Sequence, residues 1–268
     1  MAAADPNYWD PLAIENEEPS PQCLLRVKKD IAIFNVHPPY GIFIVPQEEN
    51  VTKIHALIVG PSDTPYEGGL FYFVLKCPSA YPTVPPKVRI MTTDAGRLEF
   101  NPNLYASGKV CLSILGTWLG PQWNPMQTIE SVLVSIQSLL NENPFENEPG
   151  ASFFSPISKF LGYEDNYNSF LQHETLRVAV CDTVQACLDG TSPLPPALRE
   201  QVLKTFSESF AKYEKMAADR VKLTGTQLRD RFLRVKGVYQ YERLLKRLKD
   251  LNDRVKKRNQ VAPEAEDE

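Results

Sequence analysis

The sequence predicts an α+β fold: a leading helix, an antiparallel four-stranded meander, and helices that continue into a helical C-terminal extension. Three observations carry this expectation. Short runs of β-branched and aromatic residues follow one another from Ile42 to Met91, joined by short turns. A Ser-Pro start with apolar residues at helical spacing precedes them. From Thr128 onward, apolar residues recur every three to four positions in several long segments.

Composition sets the bounds. A chain of 268 residues, 43% hydrophobic and 23% charged, is that of a globular protein with room for one ordinary domain plus an extension. A net charge of −4 gives no global reason to expect nucleic-acid binding. No apolar run reaches the ~18–20 residues needed to span a bilayer, so no membrane is expected. The N-terminus reads as no secretory signal, and the five cysteines are odd in number and scattered. Both features predict free thiols in a cytoplasmic or nuclear compartment. Cys181 and Cys187 lack metal-ligand spacing, and no metal is expected.

In order, residues 1–19 are Pro- and Glu-rich and read as a flexible segment. Ser20 fits an N-cap and Pro21 the first helical position. Leu24, Val27, Ile31 and Phe34 then form the expected buried stripe, leaving Arg26, Lys28, Lys29 and Asp30 as a solvated or docking face. Ile42–Val45, Lys53–Val59, Leu70–Leu75 and Lys87–Met91 are the expected strands. Between the third and fourth, Tyr81-Pro82-Thr83-Val84-Pro85-Pro86 forms a rigid exposed loop, because proline fixes φ and removes ladder donors. Residues 92–126 are irregular, and an irregular stretch that long inside a domain usually carries function. Thr128 caps a helix with Ile129, Val132, Leu133, Ile136 and Leu140 on one face. Further helices are expected over about Tyr167–Leu188, from Pro195-Pro196 to Ala217, and from Tyr241 to Val255. Between Gln227 and Gln260 there are 12 Lys+Arg against 4 Asp+Glu, a local +8, and 264–268 add −4. His173 reads as a partly exposed helix residue.

The irregular stretch contains Glu99-Phe100-Asn101-Pro102-Asn103 and, eight residues after Asn103, Cys111. The Gly108 turn and the neighbouring prolines argue that Cys111 is exposed. The alternative is a buried structural thiol. Cys23, Cys77, Cys181 and Cys187 read as structural.

Four segments together resemble the ubiquitin-conjugating enzymes. They are Gly60-Pro61 with 63–69, the proline loop Tyr81-Pro82-x-x-Pro85-Pro86, Asn101-Pro102-Asn103 before Gly108-Lys109-Val110-Cys111-Leu112, and Trp123-Asn124-Pro125 at the head of the next helix. Their order and spacing match over roughly 20–176. The resemblance implies a ubiquitin-conjugating core at 20–176, a helical extension at 177–260 and an acidic tail at 261–268. Two positions depart from the pattern: Asn101 stands where the family has His, and Thr83 where members that work with RING ligases carry a large apolar residue.

The resemblance implies a transferase. Ubiquitin's C-terminal carbonyl moves from an activating enzyme onto Cys111 as a thioester and then onto a substrate lysine, with or without a ligase. Asn103 is the candidate amide donor for the oxyanion, a contribution typically ~3 kcal/mol; the other reading is that it only pins the loop. Glu148 is the candidate acidic residue that orients the incoming lysine. No cofactor is expected to bind, since ATP is consumed by the upstream activating enzyme. Segments 21–26, 110–118, 143–150 and 173–182 resemble one type within the family. That type implies an alternative activating enzyme, which handles both ubiquitin and the F-adjacent-transcript modifier. Resemblance names neither ligase nor substrate, and the chain is expected to be monomeric. The rival expectations are a catalytically silent binding module of the same fold and a cysteine hydrolase with a distant histidine.

Overall fold

The computed structural model describes residues 7–148 and 162–261. They divide into two units, 7–64 with 71–148, and 65–70 with 162–261.

The first unit opens with helix α1, Pro21–Val36. Ser20 caps it through the Cys23 N–H and Pro21 takes the first turn, as the sequence predicts. Its buried face is Cys23, Val27, Asp30 and Phe34, with Leu24 and Ile31 half-buried. The face is turned because Asp30 is drawn inward. Its carboxylate accepts from Arg26 Nε at 2.7 Å, from the Tyr81 hydroxyl, and from the Ile129 N–H at 3.4 Å. The bond from Ile129 sets the carboxylate at a helix N-terminus, where the dipole favours negative charge. Of the four charged residues expected off the stripe, Lys28 and Lys29 are exposed, while Arg26 is half-buried and Asp30 buried.

Strands β1 (Ile42–Pro46), β2 (Lys53–Val59), β3 (Leu70–Lys76) and β4 (Lys87–Ile90) form one sheet in sequence order. β1 and β2 pair antiparallel with Ile42 opposite Ile58, and β3 and β4 with Phe73 opposite Ile90. All seven residues of β3 are buried, including Lys76, whose Nζ donates to Thr52 Oγ1 at 2.7 Å. Burial holds the Lys76 amine below its ordinary range, because desolvation penalises the charged form. Helix α2 (Ile129–Leu139) carries a reciprocal Thr128–Ser131 capping box and buries Ile129, Val132, Leu133 and Ile136. Each of these apolar side chains contributes roughly 1.5–3 kcal/mol on full burial.

The segment before α1, expected to be flexible, is tied down over its described part. Asp10 pairs with Arg89 and Glu15 with Lys53, and Glu17 accepts from the Ser79 N–H at 3.1 Å and its hydroxyl at 2.6 Å. Pro11 is buried in a short 3-10 turn, Pro11–Ile14. Asp10, Glu15 and Glu17 thus tie this segment to Arg89, Lys53 and Ser79. Residues 1–6 lie outside the described residues.

In the second unit a helical run starts at Tyr163, earlier than expected. It comprises α3 (Tyr163–Glu174), a π-helical stretch (Thr175–Asp182) and α4 (Thr183–Leu188). The expected division at 176/177 falls inside this continuous run, all of which groups with the later helices. α5 (Pro196–Ala218) and α6 (Tyr241–Val261) follow. Between them lies a hairpin the sequence reading did not anticipate, β5 (Gln227–Arg229) and β6 (Val235–Val238). The local excess of basic charge is met from neighbouring helices: Arg247 pairs with Asp182, Arg254 with Asp189, Arg258 with Glu200 and Lys249 with Glu214. Residues 262–268, most of the expected acidic tail, lie outside the described residues.

His173 is buried rather than partly exposed. Its Nε2 accepts from the Gln240 N–H at 3.0 Å, so the proton sits on Nδ1, which donates to Glu174 Oε1 at 2.7 Å. The rings of Tyr239 and Tyr241 meet it edge-on at 5.4 and 5.2 Å. Burial pushes the Glu174 carboxyl up, but hydrogen bonds from His173 and Arg177 outweigh it and hold the group below its ordinary range.

Candidate active site

After β4 the chain loses regular structure, and its backbone groups must find other partners. Much of the answer is a small irregular hairpin. Asn101 bridges Leu104, Leu104 bridges Val110, and Lys109 bridges Arg89. The Tyr105 N–H donates to the Lys109 carbonyl at 3.0 Å, and Gly108 N–H to the Tyr105 carbonyl at 2.9 Å. Phe100 anchors the entrance edge-on to Phe71, their centroids 5.0 Å apart.

Gly108 is held at φ +95°, in the region that favours glycine. A Cβ there would meet Arg89 Nε at 2.8 Å and the Ile90 carbonyl oxygen at 3.0 Å. The close approach lets the Ile90 N–H reach the Gly108 carbonyl at 2.9 Å. Glycine at this position therefore fixes where the chain heads towards Cys111.

Cys111 and Asn103 are brought together by two reciprocal hydrogen bonds. The Cys111 N–H donates to the Asn103 carbonyl, and Asn103 Nδ2 donates to the Cys111 carbonyl, both at 2.8 Å. Asn103 Oδ1 is buried and makes no hydrogen bond among the described residues. Asn103 thus pins the loop, the plainer of its two expected roles.

Cys111 is 1% exposed, against the expectation of an open thiol. Turn chemistry predicts a surface loop, yet the cysteine is buried within it. The pull on the thiol is mixed: burial raises its pKa, a hydrogen bond from Tyr105 and the Lys109 ammonium oppose that rise, and Glu99 adds to it. Downstream, Thr117 Oγ1 accepts from the Leu112 N–H at 2.9 Å and donates to the Val110 carbonyl at 2.7 Å, bracketing the cysteine.

Asn101, in place of the family's histidine, is fully buried and supports the turn through its amide. Its Oδ1 accepts from the Asn103 N–H at 2.9 Å and its Nδ2 donates to the Leu139 carbonyl at the end of α2 at 2.8 Å. Asn147 Nδ2 reaches both Asn101 Oδ1 and the Leu139 carbonyl at 3.3 Å. A side-chain amide presents N–H donors and a carbonyl acceptor in one plane, which suits bridging a backbone N–H to a backbone carbonyl. Glu148 closes the 3-10 turn Pro144–Asn147, its N–H bonded to the Phe145 carbonyl. It directly follows Asn147 in the chain. Tyr105 carried no expected role, and Asn147 and Thr117 were legible only as members of segments 143–150 and 110–118, which resemble one type within the family.

The proline loop is locked to the stretch after the cysteine. Trp123 Nε1 donates to the Pro82 carbonyl at 2.7 Å, and the Tyr81 and Trp123 rings lie 5.9 Å apart. The Tyr81-Pro82 peptide is cis. Arg26 adds a bond to the Pro125 carbonyl at 2.7 Å. Among the described residues no group of three or more His, Cys, Asp or Glu is placed to hold a metal. His55 is bonded to the Tyr72 hydroxyl at 2.7 Å, and His173 is occupied as above.

The architecture is a four-stranded meander flanked by helices, with a cysteine on an irregular loop pinned by side chains. The ubiquitin-conjugating enzyme family model matches residues 26–155. Over 256 residues the chain is 48% identical to ubiquitin-conjugating enzyme E2 Z of Xenopus tropicalis, covering 94% of this chain and 79% of that protein. It is 48% identical over 255 residues to ubiquitin-conjugating enzyme E2 Z of Homo sapiens, covering 94% and 70%. Identity to the Danio rerio protein of that name is 47% over 262 residues, covering 97% and 77%. The chain belongs to the ubiquitin-conjugating enzymes, a family of ubiquitin transferases whose partners are ubiquitin and an activating enzyme.

Proposed function

We propose that Cys111 is the acceptor, carrying ubiquitin as a thioester. The thiolate attacks the thioester carbonyl presented by the activating enzyme, the new S–C bond forms, and the activating enzyme's thiolate leaves. A neutral substrate lysine then attacks the same carbonyl. The N–C bond forms, the Cys111–carbonyl bond breaks, and the amine's proton passes to solvent. The observation that carries this reading is the pair of reciprocal hydrogen bonds fixing Cys111 against Asn103 within an irregular loop. Such a loop costs backbone order, and its order is centred on the cysteine.

Asn103 is a positioning residue in this reading: its amide holds the Cys111 carbonyl and so sets the thiol's direction. Its second amide hydrogen is the one left to meet an oxyanion. Glu148 orients the incoming lysine. Because burial raises the thiol's pKa, charging accelerates with pH through and beyond the ordinary cysteine range near 8.5. ATP enters upstream, at the activating enzyme, and the reaction takes place in cytoplasm or nucleus. The described similarity to E2 Z supports an alternative activating enzyme and the F-adjacent-transcript modifier as a second cargo. Selection between activating enzymes falls to residues 189–260. Their deletion is expected to change charging by one activating enzyme more than by another, whereas uniform loss would reduce the extension to a packing element.

The test is a non-reducing gel after incubation with activating enzyme, ATP and ubiquitin. Wild type is expected to form a thiol-sensitive adduct and Cys111→Ser a thiol-resistant ester. A wild-type adduct that resists thiol would sink the thioester reading, and no adduct with any activating enzyme would favour the silent binding module.

A further inference from the structure

Two cations flank the cysteine loop. Arg89 belongs to β4, and Lys109, its bridge partner, lies two residues before Cys111. The Arg89 side chain lies over Gly108, filling the space a Cβ would need. Three consecutive residues of the N-terminal segment meet these cations from the other side. Asp10 pairs with Arg89 Nη1, and the Trp9 ring centroid lies 5.6 Å from the Arg89 guanidinium carbon. The Tyr8 ring centroid lies 5.7 Å from Lys109 Nζ. Asp10 is fixed in turn, since its Oδ1 accepts from the Leu12 N–H at 3.0 Å and the next residue, Pro11, is buried.

The same segment helps to line an open pocket of about 280 Å³, which Tyr8 and Trp9 share with Val110 and Thr117. Long Arg and Lys side chains lose their many rotamers only when both ends are held.

We propose that Tyr8, Trp9 and Asp10 form a clasp that positions the Cys111 loop for acyl transfer, acting through Arg89 and Lys109. The proposal rests on Cys111 as the acceptor. The clasp residues touch no reacting atom. They hold Arg89 over Gly108 and Lys109 beside the loop, and so fix the direction in which the thiol is presented. The charged and titratable groups that act on the thiol itself are Tyr105, Lys109 and Glu99, and burial is the largest influence on it. Releasing the clasp is expected to loosen the loop and so uncover the thiol.

The expected signature is a split between intrinsic reactivity and catalysis. In the full chain, Tyr8→Ala and Asp10→Ala should each speed iodoacetamide alkylation of Cys111 about 3-fold and move its pH profile lower. Alkylation is followed on the Cys111 peptide by mass spectrometry. The kcat for charging should fall by a similar factor with KM unchanged, and Tyr8→Phe, which keeps the ring, should behave as wild type. Wild-type alkylation and charging in Tyr8→Ala and Asp10→Ala would overturn the clasp, as would a parallel loss of both or a defect shared by Tyr8→Phe. The alkylation arm uses no ubiquitin. Charging that survives Cys111→Ala would instead overturn the assignment of the acceptor, independently of the clasp.

Discussion

Cys111 and Cys181 are equally hidden from solvent, at 1% and 0% exposure, yet they sit in opposite kinds of structure. Cys181 lies in the π-helical stretch, where burial pushes its thiol up to about 12, with Asp182 adding to the rise and Arg247 opposing it. Cys111 lies on an irregular loop, where burial is opposed by a hydrogen bond from Tyr105 and by Lys109. The wider surroundings differ in the same way. The cysteine loop is held by side-chain amides, hydroxyls and one glycine. The C-terminal unit is held by apolar stripes and peripheral ion pairs. Exposure alone does not separate the two cysteines; the kind of structure that carries each one does. It follows that substitutions in the loop should act on chemistry first, and substitutions in the helices on stability first.

The largest expected effect separates the two cysteines. Cys111→Ala should abolish charging, while Cys181→Ala should leave charging per folded molecule within about twofold, its cost falling on stability. Charging assays normalised to the folded fraction from circular dichroism check both. Loss of charging in Cys181→Ala with an intact fold would break the contrast.

Phe206 is fully buried in α5, stacked with Tyr213 at 5.7 Å. Phe206→Ala should destabilise the C-terminal unit by about 3–5 kcal/mol, measured by urea unfolding. Asn101→Ala removes a buried amide bonded to both Asn103 and Leu139. It should cost about 1–3 kcal/mol and slow discharge to lysine, because the Asn103 N–H loses its partner and the Leu139 carbonyl is left with Asn147 Nδ2 alone. Discharge at the wild-type rate would show that the loop is supported some other way. Gly108→Ala should cost about 1–3 kcal/mol, since φ +95° strains an alanine and its Cβ meets backbone at Ile90.

The smallest effect is expected at the rim. Arg258 and Glu200 pair with side chains 43% and 59% exposed, so Arg258→Ala should cost under about 1 kcal/mol and little more at low salt. A larger loss would mean that the basic helix α6 is held by charge rather than by Leu244, Leu248, Leu251 and Val255, all of which are buried.

The contrast also explains what could be read from the sequence. Regular elements follow from period and caps: Ser20 and Thr128 cap where expected, and the four strands lie in sequence order. The cysteine stretch was legible as a motif because its residues are adjacent in the chain. Its support was not, because the partners are distant: Leu139 and Asn147 for Asn101, Arg89 for Gly108, Asp10 for Arg89. Asp30 was misplaced for the same reason, since its partners include Tyr81 and Ile129, far along the chain. The β5–β6 hairpin escaped notice because its strands are three and four residues long and β6 is exposed throughout, leaving no alternation to detect.

The central claim is that the acyl group resides on Cys111. It is tested most directly by charging the wild-type chain with ubiquitin, digesting it under non-reducing acidic conditions and mapping the ubiquitin remnant by mass spectrometry. The remnant is expected on the peptide carrying Cys111 and is expected to vanish on thiol treatment. A remnant on Cys23, Cys77, Cys181, Cys187 or a lysine, with Cys111 unmodified, would contradict it.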